Sequence, residues 1–127
     1  MADSIFTRII KGEVPCNKIY EDQQTMAFLT IEPIQPGHTL VVSKNQIDHI
    51  WDLPQEDYQA VMDTAKKVAN HMRQILDAKR IGVKIEGLEV PHAHIHLIPF
   101  STISEFNQLP KIATDSDLSK MATKLAF

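Results

Sequence analysis

The segment PHAHIHLIP, residues 91–99, carries three of the chain's six histidines at every second position. An imidazole has a reference pKa of about 6.5, so near neutral pH it can act as nucleophile, hydrogen-bond donor or metal ligand. Alternate residues of a β-strand share a face, so His92, His94 and His96 are expected to form a row. Their attachment points would lie roughly 6.6 Å apart, from a rise of about 3.3 Å per residue. Ala93, Ile95 and Leu97 would turn to the opposite face, where their size and branching suit a core.

Three uses of such a row stand open. It could be a solvated face with no chemistry. It could hold a metal, since His-x-His on a strand offers a pair of ligands. The outer two histidines would be attached roughly 13 Å apart, however, so further ligands would have to come from elsewhere. The chain has no Cys-x-x-Cys or Asp-rich motif to supply them. Phosphoryl chemistry suits the row best. One phosphate group can bridge neighbouring rings, and crowding makes each added proton costly, which keeps one ring neutral as a nucleophile. The flanking rings would then orient the nucleophile and stabilise charge on the phosphate oxygens.

The rest of the chain must position these rings. DSIFTRIIKG predicts a short first helix, capped by Asp3 or Ser4, with Ile5, Phe6, Ile9 and Ile10 as its apolar stripe and Gly12 as its stop. NKIYED and TMAFLT predict two strands joined through DQQ; IEPIQPGH is a proline-rich loop and HTLVVS a third strand. A long helix is expected from about Leu53 to Ala78, with Asp52 as cap and Gln55 at the reciprocal capping position. Its buried face would comprise Tyr58, Val61, Met62, Ala65, Val68, Ala69, Met72, Ile75 and Leu76. IGVKI predicts a fourth strand, EG a tight turn, and VPHAHIHLIPF a fifth strand. Leu118, Met121, Ala122 and Leu125 predict a short amphipathic helix near the end. Strands, a long helix and then strands, with short links, give an α+β fold with antiparallel pairing.

Composition sets outer bounds. With 127 residues, 43 % of them hydrophobic, the chain suits one domain spanning residues 1–127, with residues from about 101 onward as an extension. Net charge is −3, and Lys and Arg are scattered, so no nucleic-acid partner is expected. Cys16 is the only cysteine, which excludes an internal disulfide. No secretory signal or membrane span is legible, and a cytoplasmic location is expected.

HAHIHLI resembles the His-φ-His-φ-His-φ-φ signature (φ, hydrophobic) of the histidine triad (HIT) superfamily. The likeness extends through SIFTRIIKGEVPCNKIYED, MAFLTIEPIQPGHTLVVSK and VPHAHIHLIP, and is closest to the Hint-like nucleoside phosphoramidase branch and its bacterial relatives. The resemblance implies a homodimer whose two five-stranded antiparallel sheets join into one, with the long helix at the interface. It implies cleavage at the α-phosphate of a purine nucleotide conjugate, without a cofactor or metal. Carried over, His94 is the nucleophile, His96 binds the α-phosphate oxygens, and His92 and His38 support them. Phe6, Ile9, Phe28 and Ile31 match positions that sandwich the base, although for Ile9 and Phe28 a plain core role fits equally. Thr30 stands where an aspartate usually binds the ribose hydroxyls. The loop before the triad, IEGLEVPH, is shortened, and Ile85, Leu88 and Glu89 occupy positions the family fills with polar amides and hydroxyls. Glu89 could donate a proton to a leaving amine if burial raised its pKa, or favour a cationic-tailed substrate; it could also be a solvated turn carboxylate. A weakly catalytic nucleotide-binding dimer and a metal-dependent hydrolase are the alternative functions.

Overall fold

A computed structural model describes residues 2–127. The elements are α1 (Ile5–Ile10), β1 (Lys18–Glu21), β2 (Thr25–Leu29), β3 (Thr39–Ser43), a 3₁₀ turn (Ile50–Asp52), α2 (Gln55–Ile75), β4 (Arg80–Lys84), β5 (His94–Phe100), α3 (Ile103–Phe106) and α4 (Asp115–Leu125). The strands form one antiparallel five-stranded sheet in the order β1-β2-β3-β5-β4. The expected α+β class with one long helix and short terminal helices is what the structure shows.

Strand alternation divides the core in two. Ala27, Leu29, Val41, Ile95 and Leu97 face α2 and α4, where they pack with Val61, Ala65, Val68, Met72, Leu118 and Leu125. Met26, Phe28, Leu40 and Val42 face the other way and pack with Phe6 of α1. The register pairs Val42 with His94 and Leu40 with His96, which puts both imidazoles on this second, α1-covered face. Every residue of β3 is buried because both sides of the central strand are covered.

Several expectations need correction. α2 starts at Gln55 and ends at Ile75, with Pro54 at the N-cap and no side-chain cap. Asp52 belongs instead to the preceding 3₁₀ turn, and Gln55 is the first helical residue, so no reciprocal cap forms. Ile75, expected on the buried face, is 38 % exposed. The fifth strand starts at His94, not Val90, and a loop rather than a tight turn spans residues 85–93. The cause is local: β3 ends at Ser43, and the Ala93 N–H bonds the Ile47 carbonyl at 2.7 Å instead of extending the ladder.

The C-terminal extension packs back along the domain. Residues 111 and 113 bond back to Pro33 and Ile31, and Phe127 bonds the Ile19 carbonyl while stacking on His71 at 4.0 Å. α3, which periodicity does not reveal, is held by a capping box between Thr102 and Glu105. It brings Phe106 over Gly82, where an added Cβ would overlap the Phe106 ring and meet Phe100 at 3.0 Å. Gly82→Ala should therefore displace α3 and cost about 1–3 kcal/mol, read as a lower urea midpoint, while Gly12→Ala, in open space but at φ +79°, acts only through backbone strain.

Candidate functional site

The site is built from one strand, one helix and two loops. α1 begins at Ser4, whose hydroxyl accepts the Thr7 N–H at 3.0 Å and lies 2.6 Å from His92 Nδ1. The other nitrogen of His92, Nε2, lies 2.5 Å from the Ser43 carbonyl, which can only accept. Nε2 therefore carries the proton, and Nδ1 accepts from Ser4. Gln46 braces the same corner, its Oε1 accepting from Ser4 N at 2.8 Å and from the Thr7 hydroxyl. His92 thus precedes the strand rather than lying in its row, is fully buried, and has both nitrogens committed.

His94 follows by the same logic. Its Nδ1 lies 2.6 Å from the His92 carbonyl, so Nδ1 holds the proton and donates it. Nε2 is left with its lone pair and has no partner among the described residues. The ring is 5 % exposed, and Phe6 meets it edge-on at 4.9 Å.

His38 sits at the end of the proline-rich loop, where Gly37 turns the chain at φ +92°. The Ile34 N–H donates to His38 Nδ1 at 3.0 Å, so His38 donates through Nε2 to His96 Nδ1 at 2.9 Å. His96 must then carry its own proton on Nε2. That nitrogen is buried and has no partner among the described residues. The His94 and His96 rings lie 4.9 Å apart. A lone pair and an N–H donor, both unengaged, therefore stand side by side.

Both residues line a cavity of about 440 Å³. Its walls bring together Phe6, Ile9, Phe28, Thr30, Ile31, Glu89, His94 and His96, which are all the expected binding residues except His92 and His38. Phe6 and Phe28 serve as core and wall at once, since each is buried yet lines the cavity. Ile31 is 65 % exposed. Glu89 is exposed on the rim, so the burial that would make it a proton donor is absent. Sequence reasoning missed Ser4, Gln46 and Glu86; Glu86 lies close enough to His94 to favour its protonated form. A larger cavity of about 630 Å³ lies between the 33–38 loop and α4, and His38 is the only imidazole on its wall.

Burial is the main cause that lowers the pKa of every ring in this cluster. It pushes His96 to about 4, helped by His94 and Lys84, and His38 to about 3, helped by His96 and Lys84. His92 and His94 are lowered by burial too, against the opposing pull of their carbonyl hydrogen bonds. At neutral pH the rings are uncharged, as the deduced tautomers require. Among the described residues no group of three His, Cys, Asp or Glu side chains is placed to hold a metal. Of the ring nitrogens in the cluster, only His94 Nε2 offers a free lone pair, because His96 Nε2 carries the proton.

The HIT domain model matches residues 11–103. The chain belongs to the HIT family. It is 39 % identical over 101 residues to "Adenosine 5'-monophosphoramidase HNT1" of Saccharomyces cerevisiae, covering 77 % of this chain and 63 % of that one. A solved Hit-like protein from Bartonella henselae superposes with a TM-score of 0.86 at 29 % identity, covering 98 % of this chain and 97 % of that one. A zinc-bound histidine triad family protein from Mycobacterium smegmatis matches with a TM-score of 0.80 at 27 % identity, covering 95 % and 88 %.

Because the fold holds His38 and His96 neutral, the unfolded chain binds more protons below the ordinary value of 6.5. Their contribution to stability is whole above pH 6.5 and is lost as pH falls through about 4 and then about 3. Urea midpoints should therefore drop steeply between pH 6.5 and 4. His38→Gln, which can accept from Ile34 and donate to His96 without titrating, should flatten that slope by about one proton.

Proposed function

We propose that this HIT protein is a nucleotide hydrolase or nucleotidyl transferase that cleaves at the α-phosphate of a purine nucleotide conjugate through a covalent intermediate on His94. The observation that carries this reading is the unengaged lone pair of His94 Nε2 beside the unpartnered His96 Nε2–H. In the first step Nε2 of His94 bonds phosphorus and the P–N pair leaves with the amine. The departing nitrogen takes its proton from solvent through the open rim at Glu89. His96 donates to a phosphate oxygen as negative charge builds there, and the His92 carbonyl stabilises the positive charge that His94 acquires. Water then attacks phosphorus, the P–Nε2 pair returns to His94, and the water's proton passes to solvent. His92 and His38 act as positioning residues that fix the tautomers of the other two rings.

The walls favour a phosphoramidate over a dinucleoside polyphosphate. Among the described residues the cavity is lined by Glu32, Glu86 and Glu89 and by no Lys or Arg, so a chain of phosphates would meet like charge along its walls, offset only in part by Lys84 near His96. The name of the yeast relative, an adenosine 5'-monophosphoramidase, agrees with that preference. Apolar walls from Phe6, Ile9, Phe28 and Ile31 suit a purine. Thr30, in place of a carboxylate, leaves a hydroxyl that already accepts from the Glu32 N–H at 3.2 Å, which favours weak ribose recognition and supports, as a second reading, a nucleotide-binding protein with little turnover. The β4 edge is unpaired and exposes Val83, which supports pairing of two β4 strands in a homodimer.

Intact mass after a brief mix with adenosine 5′-phosphoramidate should show a nucleotidyl adduct on the parent and none on His94→Ala, which retains nucleotide binding by calorimetry. His96→Ala should lower kcat by about 10²–10⁴-fold. Parental turnover in His94→Ala would overturn the covalent route, and binding without turnover in the parent would establish the second reading.

A further inference from the structure

The cavity of about 630 Å³ between the 33–38 loop and α4 has no part in the proposed reaction. Its size lies within the roughly 300–1,000 Å³ of pockets that enclose small molecules. Backbone hydrogen bonds form it in advance. The Lys111 N–H donates to the Pro33 carbonyl at 3.2 Å and the Ala113 N–H to the Ile31 carbonyl at 3.0 Å, which pins the segment before α4 across the loop.

The apolar part of the lining is aliphatic. Ile34, Ile112 and Met121 contribute to it, and no Phe, Tyr or Trp does. A purine would find no ring to stack on there, unlike the cavity at His94, where Phe6 and Phe28 supply two. Ile112 is 84 % exposed, so an occupant has apolar area left to cover. The charge on the walls is positive. Lys111, Lys120 and Lys124 stand against one carboxylate, Asp117, in a chain whose net charge is −3. Among the described residues none of these three lysines forms an ion pair. Lys120 and Lys124 lie one turn apart on α4, so their ammonium groups can share one anion. Aliphatic walls with free cations fit an amphipathic anion, and Asp117 penalises a dianion more than a monoanion.

Two residues tie this cavity to the triad. Thr30 lines both cavities. His38 lines this one and donates through Nε2 to His96 Nδ1 at 2.9 Å. The N–H that fixes the His38 tautomer belongs to Ile34, another residue of the same wall.

We infer that this cavity is a second binding site, for a small aliphatic carboxylate, whose occupancy is transmitted to His96 through Ile34 and His38. The alkyl chain lies against Ile34, Ile112 and Met121, and the carboxylate meets Lys120 and Lys124. An occupant that shifts Ile34 moves the N–H holding His38 and thereby alters the hydrogen bond to His96. The site stands apart from the covalent route, because His94 is not on its walls.

Calorimetry of the full chain with hexanoate, octanoate and decanoate should show affinity rising about three- to fourfold per methylene. Octan-1-ol should bind about fivefold more weakly than octanoate, and Lys120→Gln/Lys124→Gln, at exposed helix positions, should abolish that difference. Decanoate should shift the side-chain nitrogen signals of His38 and His96 in NMR. Those of His92 should stay in place, because its partners Ser4 and Ser43 do not line the cavity. Affinity independent of chain length and lost at high salt would reduce the site to surface ion pairing and overturn it. Octanoate and octan-1-ol binding alike would overturn the cationic head site, and tighter binding of octyl phosphate would overturn the choice of a carboxylate. Decanoate bound with His38 and His96 unmoved would overturn the link to the triad. No alkanoate binding, with an altered oligomeric state in the double variant, would assign the cavity to a second copy of the chain instead. None of these readouts involves turnover, so a missing adduct on His94 leaves them intact.

Discussion

The hydrogen bond from His94 Nδ1 to the carbonyl of His92 sets the protonation pattern on which the proposed chemistry depends. A carbonyl oxygen only accepts, so the bond fixes which nitrogen of His94 holds the proton and which holds the lone pair. The same constraint runs through the rest of the cluster. The Ser43 carbonyl fixes His92, and the Ile34 N–H fixes His38, which in turn fixes His96. Four imidazoles are oriented by three backbone groups, so reactive geometry is inherited from the fold. Each of these backbone groups belongs to the sheet or to a loop leaving it.

That inheritance explains the two-sided core. On one face of the sheet, Ile95 and Leu97 are buried in the core with residues of α2 and α4, which fixes the opposite face of β5 for the imidazoles. On the other face, Phe6 and Phe28 pack edge-on to one another and wall the cavity. Burial that stabilises the domain also drives the imidazoles towards their neutral forms. Stability and the protonation state of the rings share a cause. A site of neutral rings with Glu32, Glu86 and Glu89 on its walls fits the proposed substrate, which carries little negative charge, unlike the lysine- and arginine-rich sites that clamp polyphosphates.

Much of this was legible in PHAHIHLIP. Alternation separated the core residues Ala93, Ile95 and Leu97 from the imidazoles, and the apolar spacing in α2 and α4 identified the face that covers them. The exception was His92. Periodicity extended the strand back to Val90, but where β3 ends at Ser43 no ladder partner exists, and the chain turns to bond Ile47. Local pattern cannot report where a neighbouring strand stops. The same limit hid Ser4 and Gln46, which reach His92 only through tertiary packing, and α3, which is too short for a periodic signal. Asp52 looked like a helix cap because its residue type fits, yet a 3₁₀ turn consumed it. Glu86 carried no signal at all until the loop folded against His94.

Nitrogen-detected NMR of the histidine side chains at neutral pH addresses the central claim most directly. His94 should appear as the Nδ1–H tautomer with an unprotonated Nε2, and His92, His38 and His96 as Nε2–H tautomers. A His94 ring protonated on Nε2, or carrying both protons at neutral pH, would contradict the account, because no lone pair would then face the cavity.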